Sequence, residues 1–289
     1  RICVEEGLDA VTAIRMATLN AAECFDLKDR GAIAPGYRAD VVLLDDLKDF
    51  HVNRVFIQGA LVAEEGKYLP EIKRYDISTV KGSVIVKDFS AEKFKMHLKS
   101  NKVNVIKILP GGVVTAKDTA EIQLDENGEF VRNPEEDIVK VAVVERHQGT
   151  GNVACGFLKG YGIKAGAVAL SIAHDSHNII VVGVSDEEME FAVNSLIAQE
   201  GGMVLVREGK VLESMPMPIA GLMSDQSGEW VDEKLTAIHA KAYEELGIAG
   251  DVEPVMTLCF MSLAVIPEVK LTDMGLFDVT TFSFIPVEA

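Results

Sequence analysis

Two of the chain's six histidines stand three residues apart, with an aspartate between them, in Ser171-Ile172-Ala173-His174-Asp175-Ser176-His177-Asn178-Ile179-Ile180. Imidazoles and a carboxylate in that proximity can ligate a metal, move a proton or hydrogen-bond a ligand. The flanking stretches 167–173 and 179–184 are apolar enough for buried strands, so the polar tetrad is the connection at a strand end. A tight turn there brings both imidazoles together. A self-sufficient metal site needs a third or fourth ligand. Glu145 and His147 are candidates, because they also follow an apolar run, 141–144. Three readings stand side by side. His174, Asp175, His177, Glu145 and His147 form an independent metal site, a polar cluster facing an active site, or a structural corner satisfying buried backbone groups.

The next motif is Gly149-Thr150-Gly151-Asn152-Val153-Ala154, which fits the outline of a dinucleotide fingerprint. Four residues separate the preceding strand from the glycines, and a following helix would have to pass Gly156 and stop by Gly160. A tight turn is the simpler use of these glycines. Asp225 and Asp273 are single carboxylates beside apolar segments and suit caps or loop fixing. His51, His97 and His239 lie in polar or amphipathic settings.

The elements that position these residues read as follows. Residues 8–25 carry helical spacing, with Asn20 a candidate cap for a second short helix. Strands follow at 41–44, 52–57 and 60–62, the last two flanking a Gln58-Gly59 turn. Residues 70–101 are lysine-rich and weakly patterned, a linker reading. Beyond them strands are expected at 103–109, 138–144, 167–173, 179–184, 203–207 and 211–215. Ser185-Asp186-Glu187-Glu188 is a capping box opening a helix that buries Met189, Val193, Leu196 and Ile197 and stops at Gly201-Gly202. A second helix runs from about Glu229 to Leu246, with Val231, Leu235, Ile238 and Ala242 on one stripe. The fold class is α+β.

Composition narrows the partners. With 28 basic and 45 acidic residues among 289, the net charge is −17. Such a surface repels phosphate backbones and anionic lipid, which speaks against nucleic acid and membrane partners. The longest apolar run, 255–266, is too short to span a bilayer. Cys3, Cys24, Cys155 and Cys259 form no CxxC, and reduced, buried thiols in a cytoplasmic protein are expected.

A family resemblance emerges from several motifs in order. Arg30-Gly31-Ala32-Ile33-Ala34-Pro35-Gly36-Tyr37-Arg38-Ala39-Asp40-Val41-Val42-Leu43-Leu44 resembles the segment that follows the catalytic barrel in amidohydrolase-superfamily enzymes. Val143-Val144-Glu145-Arg146-His147-Gln148-Gly149-Thr150-Gly151-Asn152 and the His174–His177 stretch are similar to the C-terminal domain of bacterial adenine deaminases. So are Pro218-Ile219-Ala220-Gly221-Leu222-Met223-Ser224-Asp225 and Val265-Ile266-Pro267-Glu268-Val269-Lys270-Leu271-Thr272-Asp273. The resemblance runs over essentially the whole chain. It implies hydrolysis of adenine to hypoxanthine and ammonia in purine salvage, by a homodimeric cytoplasmic enzyme. It also implies a manganese or iron pair in a TIM barrel, held by an HxH pair, a bridging carboxylate, two further histidines and an aspartate. No HxH occurs here, so the pair is expected outside this chain, and the chain alone is expected to be inactive.

On that reading residues 1–30 are a helical remnant of the barrel's end and 31–69 a β-sandwich segment. Residues 70–101 are the linker and 102–289 the C-terminal α+β domain. The chain then begins just after the last barrel strand and partners its own N-terminal barrel. The rival readings are a non-catalytic docking or assembly module and, on the glycine motif, a dinucleotide-binding domain.

Overall fold

The computed structural model describes residues 1–289, which form two compact units, Arg1–Tyr75 and Asp76–Ala289. In the first, α1 (Ile2–Glu5) precedes α2 (Ala10–Arg15), which runs through a π-turn at Met16–Asn20 into α3 (Ala21–Cys24). Asp9 caps this run by accepting the Thr12 amide at 2.9 Å, and Asn20 lies inside it rather than capping a new helix. Four antiparallel strands follow: β1 (Val41–Leu44), β2 (Val52–Ile57), β3 (Ala60–Glu64) and β4 (Lys67–Tyr68). Gln58 and Gly59 both take positive φ, the tight-turn geometry that a two-residue β-hairpin needs.

The second unit is built on one large sheet. Its strands are β5 (Lys102–Ile108), β6 (Thr115–Glu121), β9 (Ile138–Val144), β10 (Val153–Lys159), β11 (Ala167–Leu170), β12 (Ile179–Gly183), β13 (Gly202–Arg207) and β14 (Lys210–Pro216). A short ribbon, β7 (Gln123–Leu124) with β8 (Phe130–Val131), intervenes in the chain. Strand order across the sheet is β14-β13-β11-β12-β9-β10-β5-β6, antiparallel except where β10 meets β5. Helices α4 (Asp186–Ala198), α5 (Gly228–Glu244) and α6 (Pro254–Cys259) and a small sheet of β15 (Val269–Thr272), β16 (Gly275–Asp278) and β17 (Ser283–Phe284) complete it. This is an α+β architecture.

Strand alternation assigns the faces. Val139, Val141 and Val143 of β9 join Leu170, Val182 and Leu205 under α5, α6 and the β15–β16 hairpin. Ala142 and Val144 point the other way, with Ala169, Val181 and Val204, against Met189, Ala192, Val193 and Leu196 of α4. Both faces are therefore covered, which is why β11 and β12 read as apolar runs and β9 is interrupted only by Lys140, which pairs with Asp186 at 2.6 Å. Ser185 accepts the Glu188 amide at 3.3 Å and starts α4, whereas the reciprocal half of the capping box is missing: Glu188 Oε2 is buried without a partner. Residues 76–101, lysine-rich as sequence, lie within the second unit. There Val84, Val86, Phe89 and the fully buried Phe94 pack on the α4 face of the sheet. No helix is long and apolar enough to cross a membrane.

Candidate functional site

The end of β9 organises the site. Val144 pairs with Val153 of β10 on one side and Ile179 of β12 on the other. The loop 145–152 and the loop 171–178 therefore leave the sheet side by side. The turn of the β15–β16 hairpin closes the group: Asp273 accepts the side-chain amides of Asn152 and Asn178, both at 3.3 Å.

Glu145, 5% exposed, turns its carboxylate back into its own loop. It accepts from the amides of His147 (2.5 Å), Gln148 (2.6 Å) and Thr150 (2.9 Å) and from the Thr150 hydroxyl (3.1 Å). Burial alone raises its pKa, but these donors outweigh burial and hold the carboxyl down at about 2. An anion so enclosed is a fastener for the loop. His147 is exposed, and its Nε2 lies 2.7 Å from the Ser176 carbonyl. A carbonyl only accepts, so Nε2 carries a proton and donates it there.

The tetrad itself is the connection between β11 and β12. The His174 amide donates to the Cys259 carbonyl at 2.7 Å and its ring lies 4.7 Å from that of Phe260. The rings of His174 and His177 are 5.8 Å apart, edge to face. His177 takes φ of +53°, and its Nδ1 is buried without a hydrogen-bond partner. Burial first, then the neighbouring His174 and the Arg146 guanidinium, lower its pKa below the ordinary 6.5, so the ring is neutral at neutral pH. Asp175 is exposed and stands 3.9 Å from His174 Nδ1.

The arrangement thus gathers three imidazoles on two adjacent loops, with Glu145 bound inside one of them. Nowhere in the chain do three or more His, Cys, Asp or Glu side chains form a group able to hold a metal ion. What the cluster offers is hydrogen bonding and proton exchange by imidazole. The glycine motif offers no dinucleotide site either, because the strand β10 rather than a helix follows it.

Comparison with known proteins agrees with this architecture. Residues 112–283 match the adenine deaminase C-terminal domain and residues 1–62 match the amidohydrolase family. The chain belongs to the adenine deaminase family. An adenine deaminase 2 of Desulfotalea psychrophila is 66% identical over 289 residues, covering 100% of this chain and 50% of that protein. An adenine deaminase of Ligilactobacillus salivarius is 50% identical over 288 residues, again 100% of this chain and 50% of the relative. The chain spans about half the length of the curated relatives it matches.

Within this family domain, Arg146, Asn152 and Asn178 carry no signal of their own in the sequence, whereas Asp273 fixes loops as its setting suggests. The four are brought together from three separate loops. Asp273 is 121 residues from Asn152 in the chain, and only the hairpin's position over the sheet end joins them. All four cysteines are free. Cys3 and Cys24 are exposed, which corrects the expectation of buried thiols throughout, whereas burial pushes Cys155 and Cys259 up to about 12.

Proposed function

We propose that this chain is the accessory half of an adenine deaminase, which hydrolyses adenine to hypoxanthine and ammonia, and that it does not turn adenine over alone. The observation that carries this reading is identity along the whole chain to relatives twice its length that bear the name adenine deaminase. A second observation supports it. Within Arg1–Tyr75 only Ala22 is buried, and an open groove of about 670 Å³ is lined by Ile14, Ala17, Phe25, Leu27, Ile33 and Val42. Ile33 is 90% exposed. Apolar surface of that kind calls for a cover. On this reading the cover is the enzyme's own N-terminal barrel.

The manganese or iron pair belongs to that other half, since the donor groups here make no site for it. Bound there, the pair supplies hydroxide near neutral pH. This half contributes His174, Asp175, His177 and His147 to the purine side of the site, and Glu145 acts by fixing the loop that carries His147. Neutral imidazoles donate and accept hydrogen bonds, which suits the ring nitrogens of an uncharged base. The whole enzyme works in purine salvage in the cytoplasm, as a homodimer.

The test is a deamination assay on the purified chain with added manganese, followed by the same assay after mixing with a separately produced barrel half. No turnover alone and turnover on mixing are expected. Multiple turnovers by the chain alone would overturn the reading.

A further inference from the structure

Arg146 is 1% exposed and makes no ion pair. A guanidinium buried without a carboxylate is costly, so its partners matter. They are three backbone carbonyls from three segments. Nε donates to His177 at 2.5 Å, Nη2 to Ala220 at 3.2 Å and Nη1 to Ser83 at 3.4 Å. The main chain of Arg146 adds two more ties, its amide to Asn178 Oδ1 at 3.3 Å and its carbonyl to the Ile85 amide at 2.8 Å. Ala220 is bound in turn to Val80 at 2.8 Å, and the Gly221 carbonyl accepts from the Ser171 hydroxyl at 2.6 Å. The guanidinium lies against Gly221, where an added Cβ would come within 2.7 Å of Nη1 and 2.9 Å of Cζ.

The geometry points to Arg146 as the positioning residue of the histidine cluster: one planar fork fixes the His177 main chain, the 218–223 turn and the 80–85 strap to the end of β9. A lysine is a compact point donor and lacks the fork that spans three diverging carbonyls. The clamp also fixes the main chain of His177 in its left-handed conformation, φ +53°. It also places a fixed positive charge beside an imidazole already flanked by His174, His147 and Asp175. The mechanistic consequence rests on the reading of the cluster proposed above; the positional claim does not.

The experiment is NMR on the full chain with histidine labelled at Cε1, which gives six resonances, assigned by single His→Asn substitutions. Arg146→Met and Arg146→Lys are compared with the parent. Both substitutions are expected to displace the His177, His174 and His147 signals and leave His51, His97 and His239 in place. Arg146→Met also raises the His177 titration midpoint, because it removes the positive charge. Should Arg146→Met not fold, Arg146→Lys decides alone. If its six signals stay where they were, the fork is not needed. If all six shift together, Arg146 serves the fold at large; either result overturns the proposal. In the full-length enzyme Arg146→Lys is expected to lower kcat at least tenfold with KM little changed. Unchanged kcat with displaced histidine signals would leave the clamp standing and count against the catalytic use of the cluster.

Discussion

Replacing Glu145 by glutamine isolates the fastener of the 145–152 loop. The carboxylate is 5% exposed, accepts four hydrogen bonds and is held at about 2, against an ordinary 4.5. At about 1.4 kcal/mol per pKa unit the gap corresponds to about 3 kcal/mol. Water reaching the loop's rim, where His147 and Gln148 are exposed, trims this to about 2 kcal/mol. The sign follows from the direction. The folded pKa lies below the unfolded one, so the stabilisation is complete above about pH 4.5 and disappears as pH falls toward 2. Glutamine keeps one accepting oxygen and turns an NH2 toward backbone donors, so Glu145→Gln lacks most of this term at every pH. Trp230, the chain's only tryptophan, packs from α5 onto the core of the second unit and reports its unfolding by fluorescence. Unfolding free energies of both proteins from urea titrations between pH 7 and pH 3 are expected to differ by about 2 kcal/mol at pH 7, with the gap narrowing steadily below about pH 4.5. Taking the difference cancels the other carboxylates. A gap that is absent at pH 7, or constant across the range, would refute the fastened-anion account.

Two further substitutions test the packing around the sheet. Phe94 is fully buried, and its ring meets Phe89 edge to face at 5.4 Å; Phe94→Ala is expected to cost about 3–5 kcal/mol in urea unfolding. Lys270 is fully buried, donates to the Val113 carbonyl at 2.9 Å, and burial lowers its pKa from 10.5 to about 8. Its folded state binds the proton less well than the unfolded chain, so the penalty is complete below pH 8 and relaxes between about 8 and 10.5. Lys270→Met is therefore expected to stabilise the protein by about 2 kcal/mol at pH 7, after about 1 kcal/mol for the lost hydrogen bond. The gain should shrink as pH rises past 8, as read by Tm in a pH series.

What the sequence made legible follows from burial. Strands β9, β11, β12 and β13 are covered on both faces, so each is a predominantly apolar run in the sequence. Strand β6 was invisible because Thr115-Ala116-Lys117-Asp118-Thr119-Ala120-Glu121 lies at the sheet edge and buries only Thr115. Strand β10 hid behind Gly156, which interrupts its apolar pattern. The β15–β16 hairpin stood out as a motif but not as strands. At the site, the histidine tetrad was visible because its residues are neighbours in the chain. Arg146 carries no local mark of its burial in the sequence. Its burial depends on the carbonyls of Ser83 and Ala220, 63 and 74 residues away, and no local pattern encodes that convergence.

The electrostatics of the cluster bear on why it uses imidazole in a chain of net charge −17. Anionic side chains are plentiful, yet at the end of β9 they are taken out of play: Glu145 is satisfied by its own loop and Asp273 by two amides. The cation there is equally withdrawn, since Arg146 is spent on backbone carbonyls. Imidazole rings are left, and an uncharged purine gains little from a bare charge and much from a fixed donor and acceptor. On the proposed function, Glu145, Asp273 and Arg146 are scaffolding, and the imidazoles, with the exposed Asp175 beside them, face the chemistry. Exchanging His177 for a permanently charged lysine would then damage turnover more than exchanging it for asparagine, although lysine alone retains the charge of a protonated ring.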